Sequence, residues 1–238
     1  YLDGEGIGAI TGDIFGEFMR GRRAAALADV TLLAPCQPGK IVGITRNFAD
    51  RVREMGEPAP ALPLLFLKPG TSVIGPGEPI QLPPQSQAVE YAAELGVVMR
   101  KRARRVAPED ADQYILGYTC ANDVTARDLV EQDGLWARAK GFDSFCPLGP
   151  CIASGIDPSD MLITCRVNDE TRQMNSTNYM LFTIPQLVAF VSSVMTLLPG
   201  DVISTGTPAG VGPMQPGDRV DVQIEGIGPL SNQVLKIS

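Results

Sequence analysis

The stretch Val89-Glu90-Tyr91-Ala92-Ala93-Glu94-Leu95-Gly96-Val97-Val98-Met99 decides how this chain is read. Its second half is a short apolar, β-branched run of the kind that forms a buried strand. A glutamate nevertheless sits inside it. A carboxylate in such surroundings is costly to bury unless a cation or hydrogen bonds compensate it. The same oddity recurs thirty residues on. Asp123 closes Cys120-Ala121-Asn122-Asp123, after the apolar Tyr114-Ile115-Leu116-Gly117-Tyr118.

On a strand, residues two apart share a face, so positions 90, 92 and 94 are expected to point the same way. A second carboxylate at position 92 would stand about 6–7 Å from Glu94 along the strand, but the residue there is Ala92. Glu90, about 13 Å away, reaches a common ion only through a bend or a bridging water; otherwise it is a surface residue at the strand's start. Glu94 and Asp123 therefore ask for a hard divalent ion, with Glu90 as a substitute third ligand. Asp123 also has a plainer reading as the first residue of an Asx turn.

Working outward, Lys40-Ile41-Val42-Gly43-Ile44 and Leu64-Leu65-Phe66-Leu67 read as further buried strands. Residues 4–10 read as a strand and turn and residues 29–35 as another strand, in a small N-terminal piece over residues 1–37 ahead of a main domain over 38–238. Pro108-Glu109-Asp110 opens a helix, with proline and acids in its first turn. Thr183 caps another, which carries Leu187, Val188, Val191, Val194, Met195 and Leu198 as a core stripe and stops at Pro199-Gly200. Asp218–Glu225 alternates as a strand does. Strands come in runs, not in strict alternation with helices, which predicts a β-rich α+β domain and argues against a Rossmann sheet.

Composition narrows the function. The 238 residues are 44% apolar, enough for a full core, and carry a net charge of −7. Nucleic acid and anionic membranes are poor partners for such a chain, and no apolar run approaches a membrane span. The basic run Arg100–Arg105 reads as a solvated turn or an interface rim. Five cysteines without CxxC spacing, and no evident leader, fit reduced thiols in the cytoplasm. There is no histidine. Every Ser-His-Asp or Cys-His mechanism and every His-ligated zinc site is excluded; a metal must be held by oxygen, which points to magnesium, manganese or calcium. Lys140, in Arg138-Ala139-Lys140-Gly141-Phe142-Asp143, is the main candidate to face an anionic substrate. Arg127 and Asp128 are expected to form an internal salt bridge. The glycine-rich Ser204–Gly212 loop offers backbone amides that suit a carboxylate.

Seven ordered segments carry a resemblance: Asn47–Gly56, Leu65-Phe66-Leu67-Lys68-Pro69, Glu94–Met99, Asn122–Asp128, Ala139–Asp143, Met195–Val202 and Thr205–Gly212. Together they resemble the fumarylacetoacetate hydrolase family over roughly residues 38–235, closest to its acylpyruvase, oxaloacetate decarboxylase and 2-hydroxyhepta-2,4-diene-1,7-dioate isomerase branch. The resemblance implies a mixed β-roll with a few flanking helices, usually dimeric. It implies a magnesium or manganese ion that chelates a small 2-oxo or β-diketo acid and stabilises an enolate. By motif position Glu94 and Asp123 resemble metal carboxylates, Lys140 the lysine that meets the enolate, and Thr205, Gly206 and Thr207 the loop that holds the substrate carboxylate. Glu54 resembles the acidic half of a pair that activates water under a closing lid; Arg127 and Phe48 fall on the substrate side.

Three positions depart from the family. Ala92 stands in place of its first metal glutamate, Arg51 in place of the lid's catalytic histidine, and Phe48 in place of a tyrosine. Arg51 cannot act as a base near neutrality, but it can hold a substrate carboxylate or pair with Glu54. The expectation is an enzyme that decarboxylates or isomerises a 2-oxo acid, impaired relative to its family; the alternative is an inactive homologue kept for binding or oligomer formation.

Overall fold

The computed structural model describes residues 1–4 and 6–237; Glu5, inside the turn expected over residues 4–10, and Ser238 lie outside the described residues. Strands dominate and a few short helices flank them, a β-rich fold as the strand runs predict. The first residues form a separate three-stranded sheet of Leu2–Asp3, Gly6–Gly12 and Phe18–Ala26. Residues 29–35 do not form the expected strand. A 3-10 turn at Leu27–Asp29 leads into irregular chain, where Pro35 and Pro38 remove the donors a ladder needs.

The main domain is built on a mixed seven-stranded sheet. In spatial order its strands are Leu64–Pro69, Lys40–Thr45, Val202–Ser204, Ala93–Met99, Ile115–Asn122, Cys146–Ala153 and Val73–Ile74. A five-stranded sheet packs against it, formed by Glu170–Ser176, Leu162–Val167, Arg219–Ile224, Gly228–Lys236 and Ile80–Leu82. The strand Ala93–Met99 is buried along its whole length, which explains why it reads as a continuous apolar run. Leu95, Val97 and Met99 enter the main core with Ile163, Val222 and Leu187. On the opposite face Val98 packs with Ile41, Val202 and Leu148. By alternation Glu94 lies on the Val98 face.

The stretch 89–99 is not one strand. Val89–Tyr91 belongs to a small sheet with Thr125–Ala126 and Gly212–Pro213, and the chain breaks at Ala92 before Ala93–Met99 begins. The break has a cause in side chains. The Ala92 N–H donates to Asn122 Oδ1 at 2.9 Å and the Ala93 N–H to Gln173 Oε1 at 2.9 Å, so neither joins a ladder. Positions 90, 92 and 94 therefore do not share one continuous face.

Two helices also differ from expectation. Pro108–Tyr114 is a 3-10 helix. The helix behind Thr183 spans Ile184–Val194, and its first turn is closed by the Thr183 N–H donating to Gln186 Oε1 at 2.9 Å. It ends before Pro199 because Leu197 exchanges both backbone hydrogen bonds with Ala103, at 2.9 Å each. That pairing demands extended chain. Leu187, Val188 and Val191 are core, whereas Val194 and Leu198 are exposed.

Gly43 is needed at the centre of its strand, since a Cβ there would fall inside the Phe66 ring across the ladder. Overpacking of this kind costs about 1–3 kcal/mol. Gly43→Ala is expected to lower the melting temperature by several degrees, measured by circular dichroism; an unchanged melting curve would show that Phe66 swings aside freely.

Candidate active site

The site begins with register. Glu94 pairs with Ala121 across the ladder, so Asp123, two residues further on, lies beyond the strand end on the same side. Its N–H is tied to the Ala92 carbonyl at 2.8 Å. Glu94, Asp123 and Lys140 line one cavity, together with Ala92, Thr125, Thr207, Phe66, Arg46, Arg51 and Arg127. The cavity is small, about 50 Å³. A larger hollow of about 530 Å³ lies beside the N-terminal hairpin, but its lining is mostly apolar and Arg20 is its one charged side chain. The chemistry therefore belongs to the smaller cavity.

Asp123 is shared by two lysines. Lys68 Nζ donates to Oδ1 at 2.6 Å and Lys140 Nζ donates to Oδ2. Each ammonium has a second anchor. Lys68 donates to the Val124 carbonyl at 2.8 Å and Lys140 to Thr125 Oγ1 at 2.8 Å. Lys140 also sits 4.1 Å above the centre of the Phe66 ring, a cation–π contact. Burial alone would raise the Asp123 pKa; the two ammonium groups more than offset this and hold it below the usual carboxylate range. Burial pulls Lys140 down despite its partner, and the neighbouring Lys68 adds to the effect. One carboxylate cannot fully satisfy two cations, so Asp123 and Lys140 both shift downward.

Glu94 is held differently. Its Oε2 accepts from Ser204 Oγ at 2.6 Å and from the Gly206 N–H at 2.9 Å. Gly206 adopts φ +96°, and a Cβ there would press on Asn47; glycine is what lets the amide approach. Glu94 has no ion-pair partner among the described residues. Burial, then the Asp123 charge, pushes its pKa up to about 8.

The remaining candidates divide. Thr207 lines the cavity, donates to the Ala93 carbonyl at 2.8 Å and accepts from Gln173 Nε2 at 2.8 Å. Thr205 is fully buried and donates to the Leu95 carbonyl, and Gly206 serves Glu94, so both build the scaffold and neither faces a ligand. Phe48 is sealed in the core, which gives it no route to a substrate. Arg127 pairs with Glu90 at 2.9 Å, not with Asp128. Asp128 instead accepts from Ser86 Oγ and the Gln87 N–H. Glu90 is thus occupied on the small sheet and is not among the cavity lining, which removes it as a substitute ligand. Arg51 reaches the cavity while paired with Glu54, whose other oxygen accepts from the Gly210 N–H at 3.0 Å. Lys68 is the functional residue that sequence reasoning missed, although it shares a strand face with Phe66.

The divalent ion expected from the resemblance has to be judged against these donors. Both Asp123 oxygens already hold ammonium groups, one Glu94 oxygen carries two hydrogen bonds, and position 92 offers only a methyl group. Among the described residues, no three Asp, Glu, His or Cys side chains gather as a metal site. The arrangement does not fit a divalent ion.

Comparison with known proteins agrees with the fold. The family model for the fumarylacetoacetate (FAA) hydrolase C-terminal domain matches residues 40–235. The mitochondrial oxaloacetate tautomerase FAHD2A of Bos taurus is 41% identical over 221 residues, covering 87% of this chain and 70% of its own. The crystal structure of 5-carboxymethyl-2-hydroxymuconate delta-isomerase from Mycobacterium smegmatis superposes with a TM-score of 0.93 at 45% identity, covering 100% of this chain and 93% of that one. Maleylpyruvate hydrolase from Sphingobium sp. SYK-6, solved in complex with manganese(II) and pyruvate, follows at a TM-score of 0.78 and 34% identity, covering 93% and 78%. These relatives are a tautomerase, an isomerase and a hydrolase. With the family model spanning residues 40–235 and relatives above 40% identity over most of its length, the chain belongs to the fumarylacetoacetate hydrolase family, a family of enzymes.

Proposed function

We propose that this chain interconverts the keto and enol forms of a small 2-oxo acid, or decarboxylates one, through an enolate whose oxygen is met by Lys140. The observation that carries this reading is the buried Lys140 ammonium, fixed on Asp123 and Thr125 and facing the cavity. A hydrogen-bond donor aimed at developing charge in a water-poor site stabilises it without reorganising. Arg127 and Arg51, at the same cavity, supply the planar forks that bind carboxylates, and Thr207 adds a hydroxyl. The cavity's small volume favours an acyclic acid of few atoms.

The bond changes are simple. In tautomerisation the C3–H bond breaks, its electrons form the C2–C3 double bond, and the carbonyl pair moves onto O2 beside Lys140. The proton passes to Glu94, O2 takes a proton from the Lys140 ammonium to give the enol, and the proton lost by Glu94 to solvent is matched by the one that recharges Lys140. In decarboxylation the electrons of the C3–C4 bond take the same path and carbon dioxide leaves; the O2 pair then re-forms the carbonyl as C3 takes a proton from solvent. Hydrolysis is the less suited member of the series, because it needs an activated water. The lid position holds Arg51, and Glu54 is already tied to Arg51 and Gly210. The Bos taurus oxaloacetate tautomerase is the relative whose named activity supports this choice. The proposed partners are a small 2-oxo acid and a second copy of the chain.

Lys140→Ala is expected to lower kcat for oxaloacetate enol–keto conversion by about 10²–10⁴-fold, the range of a lost proton-transfer or charge-stabilising group; a variant with wild-type kcat/KM would falsify the role. If Glu94 takes the C3 proton it must be ionised, so kcat/KM should rise with pH through about 8, where burial and Asp123 place it. Glu94→Gln should flatten that limb along with most activity, and a profile falling over this range rules out Glu94 as the base. A folded wild-type protein that binds oxalate yet turns over no 2-oxo acid would favour the inactive-homologue alternative.

A further inference from the structure

We infer that this cavity is built around an anion and needs no divalent ion: Lys140 contacts the bound 2-oxo acid, and Lys68, behind Asp123, supplies the second positive charge that a metal would have brought. The inference rests on the 2-oxo acid reading above and adds how the site does without metal.

Three observations carry it. The first is occupancy. Lys68 is completely buried, outside the cavity lining, and fixed by Asp123 and Val124. Lys140 is fixed by Asp123, Thr125 and the Phe66 ring. Three protein groups besides Asp123 hold these two ammonium groups in place, so both are structural parts of the floor. A metal ion would have to displace at least one of them from Asp123, and the other acid of the cavity lining, Glu94, already accepts from Ser204 and Gly206.

The second is charge. Two ammonium groups against the single carboxylate of Asp123 leave one positive charge on the floor. The guanidinium groups at the cavity are balanced in pairs, Arg127 by Glu90, Arg51 by Glu54 and Arg46 by Glu57. Glu94 is the one acid without a cation, and it brings the total only to neutrality. Adding a divalent cation would leave the buried floor at least doubly positive before any substrate arrives, a cost no donor here repays. Once Glu94 has taken the C3 proton, the single positive charge left on the floor is matched by the enolate.

The third is the free donor. Lys140 Nζ has three N–H groups. Two are used on Asp123 and Thr125, and the third finds no oxygen acceptor among the described residues. It is the one unspent ammonium donor at this cavity, at the place where an enolate oxygen is proposed to develop.

The chain contains its own reporter for a test. Trp136, its single tryptophan, packs edge-on against Phe66 with ring centres 5.6 Å apart, and Phe66 lies beneath Lys140. Oxalate, a planar dianion that mimics an enolate, is titrated into protein freed of metal with EDTA and into protein with about 1 mM magnesium or manganese, followed by Trp136 fluorescence and by melting temperature. The expected result is an oxalate affinity equal within about twofold in all three media, with no change in melting temperature on adding metal alone. An affinity lower by about tenfold or more in EDTA overturns the metal-free site and leaves the 2-oxo acid reading standing. No oxalate binding in any medium overturns both. Ala92→Glu supplies a second arm. It is expected to acquire a manganese-dependent rise in melting temperature that the wild type lacks. A wild-type rise as large as the variant's overturns the proposal, and a folded variant without any rise overturns the assignment of position 92 on which it stands.

Discussion

Asp123 shared between Lys68 and Lys140 is the constraint on which the rest of the site depends. Its three members come from separate pieces of chain: the strand Leu64–Pro69, the end of the strand Ile115–Asn122, and the short helix Ala137–Lys140. Taking such charges out of water costs several kcal/mol per ion, so the cluster adds little net stability. Removing Asp123 would leave two buried ammonium groups without their carboxylate, at about 3–5 kcal/mol, whereas removing either lysine leaves the other paired with it. The cluster therefore fixes geometry more than it stabilises. It sets how close the helix lies to the sheet edge, and hence where the Lys140 ammonium stands relative to Glu94 and the arginine rim.

The same features that make a residue unusual in sequence made half of this site legible. Glu94 and Asp123 stand out as acids inside apolar runs, and Lys140 stands out as the cation of a glycine-flanked motif. Lys68 did not stand out. It sits at the end of Leu64-Leu65-Phe66-Leu67, where a lysine reads as the strand's solvated terminus. Its burial follows from the facing of the strand, which turns Phe66 and Lys68 inward and leaves Leu67 exposed. Nothing local encodes that choice, because the partner that makes it tolerable lies 55 residues away.

The break at Ala92 was hidden for a related reason. Eleven residues with strand composition read as one strand, but strand continuity is decided by where the backbone donors go. Here they go to Asn122 and Gln173, which are 30 and 80 residues distant. Once the chain breaks, Glu90 belongs to another sheet and claims Arg127, and the expected pairing of Arg127 with Asp128 is lost. Phe48 and Thr205 fail for the opposite reason. Motif position places them near a ligand, whereas packing turns them inward, Phe48 against the main core and Thr205 onto the Leu95 carbonyl. The fold itself was easier to read. The strand runs and the capped helix behind Thr183 each follow from local chemistry, and only their ends needed tertiary contacts such as the Ala103–Leu197 pairing.

Arg51 and Ala92 bear on one electrostatic question from opposite sides of the cavity. By the assignment that the resemblance implies, Ala92 withholds a negative charge from the floor, and Arg51 brings a guanidinium, paired with Glu54, to the rim. Both changes move the cavity in the same direction, toward holding anions and away from holding cations. A site altered in only one of these positions would keep a conflict, either an acid without its ion or a cationic rim above a cation. Altered in both, the cavity is self-consistent with Lys140 and Lys68 as its fixed positive charges. The Arg51–Glu54–Gly210 link also ties the helix Ala49–Met55 to the glycine-rich loop. On the reading proposed above, that link holds both Glu54 oxygens, one on Arg51 and one on the Gly210 N–H, which is why proton shifts and carbon dioxide loss are proposed ahead of attack by water.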